Sequence, residues 1–455
     1  MRAIFQAIHS ELMNTSQNVV LLANIDINEL DPTFGPYIKD KLNINVTFVT
    51  MRDCDNPSDS LRSVIGQLPE GSNYTLTTYT TNYAPRTQKQ LYLLQRYASM
   101  KNIEFKVHNY DITEPKPENE IPAYKTNSKP EFHRVCQQLG IPTIPNKIII
   151  DFEYDEAGNI SNLHAIRSTI KHQLQEFQSN VYVQHPLSGG GFGTIIFELE
   201  DLVSRDTFEA KINEIIELTQ PDPNLRIQPS EFISAPHIEY TDSPAISFNV
   251  NDDGSISDCI ITGQIQNPKD NSCIGITSFH DVSERDQELM KEYAQRLGEY
   301  LFRQGYRGPS NIDFIRVPEG DGYTLYAVES NTRYTAGNTQ KAIQKAVQVI
   351  YNKTLGAITV DHVPVTGMTT QDVIDLLSHN GIPIFDINNE ASCAGVMAQT
   401  CPGGKDMSLI FFGMSGEETQ GYFTQTERIL SAENRKLTRV IGTAISALAS
   451  KLRLR

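Results

Sequence analysis

The chain has 455 residues, with 55 Asp and Glu against 39 Lys and Arg and a formal net charge of −16. That length allows about three domains of roughly 100–200 residues each, and the charge argues against a nucleic-acid partner, whose phosphates are bound by clustered Lys and Arg. No apolar run reaches the roughly 18 residues of a membrane span, and MRAIFQAIHSELMNTSQN turns polar too early for a signal-peptide core, so a cytoplasmic protein with no membrane partner is expected.

Residues 1–122 open with a helix-like stretch and continue through strand-like NVVLLANI, VTFVTM, YTLTTYT and IEFKVHNYDI, with a helix near TQKQLYLLQRYASM. This alternation predicts a small doubly wound α/β domain without a dinucleotide fingerprint. TEPKPENEIPAYKTNSKP, with four prolines, reads as a linker. Further on, VYVQHPLSGGGFGTIIFELE sets the run Ser188, Gly189, Gly190, Gly191, Phe192, Gly193 between two strand-like segments. A Walker loop needs a Lys-Ser/Thr ending and a helix directly after it, and a dinucleotide fingerprint also opens a helix. Here Thr194 onward continues as strand, which puts the glycines at a hairpin tip where backbone N–H groups can approach phosphates as a flap. A flexible surface hairpin is the competing reading. Gln264 and Gln266 in CIITGQIQ share one side of a strand, lining either a site or a plain surface.

VSERDQELMKEYAQRLGEYLFRQGY predicts a helix capped by Ser283, with a core stripe of Met290, Tyr293, Ala294, Leu297 and Leu301 and a stop at Gly305. The most informative segment follows. NIDFIRV and YTLYAVE are rich in β-branched and aromatic residues, and PEGDG between them is turn chemistry, so they predict an antiparallel hairpin. Asp313 and Glu329 are symmetric about residue 321 and should lie side by side, with Asn331 on the same face. Like charges opposed across a sheet are destabilising, so two carboxylates and an amide oxygen point to a cation, and hard oxygens suit Mg²⁺ bridging phosphates. Arg333 is placed to contact an anion beside it. A solvated hairpin with its charges in water competes with this reading.

A helix is expected from Thr339, then strand DHVPVTG, helix TTQDVIDLLSHNGIP and strand SLIFFGM. The closing stretch LTRVIGTAISALASKLRLR predicts an amphipathic helix with its basic end favouring packing over membrane binding. The six cysteines have no C-x-x-C pair, so neither a zinc module nor a disulfide framework is indicated.

The glycine hairpin and the carboxylate hairpin together resemble the ATP-grasp superfamily, whose members hold ATP between two α+β lobes. NSKPEFHRVCQQLGIPTIPNK supplies a further matching element, a lysine on a helix leading to Gly-Ile-Pro-x-x-Pro, and ESNTR matches the pattern E-x-N-x-R. The resemblance implies an α/β pre-ATP-grasp domain over 1–122, ATP-grasp lobes over 123–357 and a C-terminal α/β extension over 358–455. It implies Lys129 as a phosphate contact, Ser188 to Thr194 as the flap, Asp313, Glu329 and Asn331 as ligands of Mg²⁺ or alternatively Mn²⁺, and Arg333 as the catalytic contact to phosphate or substrate. The adenine hinge is then expected in SEFISAPHIEY, at Ser234 and Ala235, with Glu239 toward the ribose. One departure stands out: Gln184 occupies the position of the usual second nucleotide-binding lysine and brings no charge. The layout resembles the amino-acid or peptide ligases of the pheganomycin-biosynthesis type, implying ADP-forming amide synthesis from a small-molecule acid and an amine, and it leaves room for a homodimer. A phosphotransferase and a non-catalytic nucleotide sensor are the alternatives.

Overall fold

The computed structural model describes residues 18–23, 30–50, 66, 73–76, 96–107, 122–189, 192–220, 228–266, 273–320, 322–402 and 406–433. The expected N-terminal helix-like stretch, most of TQKQLYLLQRYASM, Gly190, Gly191 and the closing helix from Leu437 lie outside them.

In the first part of the chain, β1 (Asn18–Ala23) pairs in parallel with β2 (Asn45–Thr50), and β3 (Asn73–Leu76) pairs in parallel with β4 (Glu104–Val107). Parallel neighbours need crossover connections, which suits the α/β alternation read from the sequence. The helix α1 (Phe34–Leu42) was not expected, because Gly35 and Pro36 disguise its start. Its apolar residues Phe34, Tyr37, Ile38 and Leu42 join a core with residues beyond 340.

The helices α2 (Pro122–Asn127) and α3 (Lys129–Leu139) lead into a four-stranded antiparallel sheet. Its strands β5 (Ile148–Asp151), β6 (Val181–Gly189), β7 (Phe192–Phe197) and β8 (Glu231–Pro236) run in the order β5-β8-β6-β7. One face, carrying Ile150, Val181, Val183, Ile195, Phe197 and Phe232, packs with α4 (Leu163–Phe177) and α5 (Arg205–Leu218) into a closed core. Strict period-two alternation leaves Gln184, Thr194 and Ile233 on the other face.

The second sheet has eight antiparallel strands in the order β13-β12-β9-β10-β11-β14-β16-β15. They are β9 (Pro244–Val250), β10 (Ile256–Gln266), β11 (Cys273–Thr277), β12 (Gly308–Glu319), β13 (Gly322–Ser330), β14 (Gly356–Pro364), β15 (Gly395–Ala398) and β16 (Asp406–Gly413). The predicted helix is α6 (Glu284–Arg303): Ser283 Oγ accepts the Asp286 N–H at 3.1 Å, and Met290, Ala294, Leu297 and Leu301 pack into the core on one face of this sheet. Full burial of each of the Met and Leu side chains contributes about 1.5–3 kcal/mol. On the other face, α7 (Ala336–Tyr351) sits over β9, β10 and β14. The helix α8 (Thr370–His379) and a helix over 416–433, here α9, complete a further core with β14 to β16. No helix among the described residues is long and apolar enough to cross a membrane.

A single crossing, residues 237–243, joins β8 of the small sheet to β9 of the large one, and a buried arginine pins it. Arg316 on β12 is 5% exposed. Its guanidinium binds Asp242 in a fork, with Nε donating to Oδ1 at 2.6 Å and Nη2 bonding to Oδ2; Nη1 lies 3.7 Å from Asp286. The Thr241 N–H donates to the Arg316 carbonyl and the Arg316 N–H to the Asp242 carbonyl. Replacing Arg316 by Met strands both carboxylates and should lower the unfolding free energy by about 3 kcal/mol in urea denaturation. Arg316→Lys keeps the charge without the fork and should cost about 1–2 kcal/mol. Equal stability of both variants and the unaltered chain would show that the pin contributes nothing.

Candidate nucleotide and metal site

The site is built at the end of the β12–β13 hairpin. Its ladder runs evenly from Glu319↔Gly322 to Phe314↔Ala327 and, continued unbroken, would set Asp313 opposite Val328. A register shift between Asp313 and Phe314 makes Val328 the extra residue and brings Glu329 opposite Asp313. The bulge thus aims both carboxylates to one side, a frequent use of bulges beside functional sites.

Asp313 is 7% exposed and accepts hydrogen bonds from Asn311 Nδ2 at 2.8 Å and Asn331 Nδ2 at 3.0 Å. Burial, and then the charge of Glu329, push the Asp313 carboxyl up to about 8. At Glu329 burial acts in the same direction, but the adjacent Lys129 ammonium, ion-paired to Oε2, outweighs it and holds this carboxyl below its ordinary range. The pair therefore titrates as a unit in which Asp313 keeps a proton that a divalent cation would replace. Among the described residues no three His, Cys, Asp or Glu side chains cluster as a metal site. Two carboxylates with the Asn331 amide oxygen nevertheless fit Mg²⁺, which is bound through one or two carboxylates and completes its shell with water and substrate phosphates.

The helix α3 is wedged between the two sheets. Ser128 precedes it, Pro130 sits in its first turn with Glu131, and Gly140 closes it at φ +64, its N–H on the Cys136 and Gln137 carbonyls. From its first turn Lys129 reaches Glu329 on the large sheet; one turn on, Arg134 forks onto Glu231 of the small sheet at 2.7 and 2.9 Å. The segment before it clamps the end of β13. Thr126 hydrogen-bonds Thr332, and Asn127 Oδ1 accepts from the Thr332 N–H and from Arg333 Nη1, each at 3.1 Å. Downstream, the Pro142 carbonyl accepts the Ala327 N–H at 2.8 Å, which seats the GIPTIP segment on the same strand.

In the glycine hairpin, Gln184 pairs with Thr194 and Gly189 with Phe192, so residues 185–188 stand opposite Gly193 alone. Gly193 takes φ +76, and an added Cβ would lie 3.1 Å from the Cβ atoms of His185 and Ser188. The His185 ring meets the edge of Phe232 and its Nδ1 accepts the Leu187 N–H, so this side chain fastens the bulge. Ser188 is buried with its Oγ lacking a hydrogen-bond partner, a polar atom that a ligand oxygen would satisfy.

The fold has counterparts among solved structures. N5-carboxyaminoimidazole ribonucleotide synthetase from Thermus thermophilus superposes with TM-score 0.54 at 10% identity, over 94% of this chain and 96% of that one. The corresponding synthase from Aspergillus clavatus, complexed with ATP, gives 0.51 at 12% identity over 92% and 99% of the two chains. Biotin carboxylase from Campylobacter jejuni, in its β-γ-ATP complex, gives 0.51 at 12% identity over 92% and 86%. This chain has the ATP-grasp fold. No protein-family model matches the sequence, and no curated protein matches it.

Within the ATP-grasp frame the structure brings Lys129, Asp313, Glu329 and Asn331 into one constellation, with Arg333 beside it through Asn127. Gln184 faces the cleft side of the small sheet and donates to Thr194 Oγ1 at 3.3 Å. The Ser234 hydroxyl donates to Gln173 Oε1 at 2.5 Å on the helix-covered side, while Ala235 lies on the opposite side of the same strand. Glu239 is exposed on the inter-sheet crossing, and Gln266 Nε2 donates to the Tyr240 hydroxyl there at 2.8 Å. Asn311, Asn127 and Lys147 were not singled out from sequence; alternation from Asp313 could have found Asn311, whereas the other two carry no local signal.

Gly193→Ala combines a left-handed backbone with two close contacts and should strain the hairpin by about 1–3 kcal/mol. The expected readout is faster amide exchange at Val183, Gln184, Thr194 and Ile195 than in the unaltered chain. Unchanged exchange there would mean that the bulge accommodates the methyl group.

Proposed function

We propose that this chain is an ATP-dependent ligase that joins a carboxylate to an amine through an acyl phosphate, acting on amino acids or small peptides. The observation that supports it most is the Asp313–Glu329 pair, two carboxylates forced together in the cleft of an ATP-grasp fold and held by Lys129. Asp313, Glu329 and Asn331 would hold Mg²⁺, which supplies neutralisation of phosphate charge when bound. Lys129 and Arg333 bring cations to the phosphates. Their placement at two ends of the clamp, one on α3 and one beyond β13, would keep the γ-phosphate in line for attack by the acid substrate. The flap from Ser188 to Thr194 excludes water, so that the acyl phosphate meets the amine instead of being hydrolysed. The peptide-ligase specificity is supported by the layout of an N-terminal α/β segment and C-terminal strands around the lobes.

With ¹⁸O-labelled acid, amine and MgATP, the expected products are ADP, an amide and inorganic phosphate that carries the label. A stable phosphorylated product formed without amine would identify a phosphotransferase, and AMP with pyrophosphate would point to adenylate chemistry; either contradicts the proposal. Glu329→Gln removes one charge from the constellation and should lower turnover by about 100-fold or more while leaving circular dichroism unchanged. Retention of full turnover would remove the carboxylate pair from the mechanism.

A further inference from the structure

Three cations at the cleft are engaged among the described residues. Lys129 pairs with Glu329, Arg134 with Glu131 and Glu231, and Arg333 donates to Asn127. Lys147, the residue before β5, has no carboxylate within ion-pair distance and makes no hydrogen bond through its ammonium among the described residues. Its place follows from the register. Ile149 stands in one cross-strand row with Ile233 and Gln184, on the side of the small sheet away from its helices. Lys147 is two residues earlier on the same chain and so shares that side. The electrostatic neighbours agree, since Lys129 and Glu329 both act on Lys147, and Lys147 acts on His133 of α3. Partial burial, and then the charge of Lys129, push the ammonium down to about 8.

An unpaired cation kept beside a second cation in a crowded cleft is costly, and a polyanion between α3 and the small sheet relieves that cost. Gln184, on the same face, brings donors but no charge. From this the structure assigns Lys147 as a second phosphate-binding cation of the cleft, supplying from the start of β5 the charge that Gln184 on β6 lacks. The assignment rests on the ATP-dependent reading above and names the nucleotide's phosphates as what Lys147 contacts.

Calorimetric titration with MgADP tests both levels. The unaltered chain should bind it; Lys147→Gln should weaken binding by about 10- to 100-fold, as expected for loss of a charge-assisted contact, whereas Lys147→Arg should stay within about threefold. A second measurement needs no substitution. Acetic anhydride labelling resolved by mass spectrometry should modify Lys147 faster than the exposed Lys345, and saturating MgADP should slow Lys147 labelling by about fivefold or more while adenosine does not. MgADP binding by the unaltered chain, with Lys147→Gln within about twofold of it and labelling unprotected, would overturn the assignment alone. Absence of MgADP binding by the unaltered chain would overturn the nucleotide reading and the assignment together.

Discussion

Two carboxylates facing each other across neighbouring strands form an arrangement that a sheet does not adopt without compensation, and the architecture around the cleft is organised to hold it. The hydrophobic faces of β12 and β13 pack into the core under α6, and the carboxylates project from the opposite side, Asp313 buried and Glu329 half-buried. Two asparagines then donate to Asp313, and the first turn of α3 delivers a lysine to Glu329. Each contribution is modest alone. Together they stabilise a local charge density that only a cation or a proton can complete.

The same helix sets the relation between the two sheets. Lys129 and Arg134 lie on successive turns of α3 and reach opposite sheets, so the orientation of the helix fixes both anchor points at once. Arg316 plays the corresponding part at the crossing segment. A change in the angle between the sheets would have to break one of the two α3 anchors, while the Asp242–Arg316 ion pair holds the crossing.

Much of this was legible in the sequence, for physical reasons. Alternating β-branched segments around PEGDG specify a hairpin, and the capping chemistry of Ser283 with an apolar stripe specifies α6. Three spaced motifs together pointed to the fold. What was hidden depends on tertiary context. The pairing of Asp313 with Glu329 rests on a bulge at Val328 that no residue type announces, and the symmetry about residue 321 reaches the same pair because the bulge shifts the ladder by one position. The side of β8 that Ser234 presents follows from burial of its neighbours, not from serine. Lys147 looks like any surface lysine until α3 is laid across the sheet. The short strand β15 and the helix α9 were missed because their apolar residues serve a core assembled from distant segments, including α1.

The eight-stranded sheet also bears on the order in which the chain is synthesised. The edge of β11 away from β10 is covered by β14, and β14 in turn by β16. While the ribosome is still adding residues of α7, β11 therefore presents open N–H and C=O groups, the kind of edge on which nascent chains pair wrongly with one another. The carboxylate hairpin is already complete at that stage. Chaperone dependence should accordingly concentrate in the interval between emergence of the carboxylate hairpin and closure of the sheet beside it.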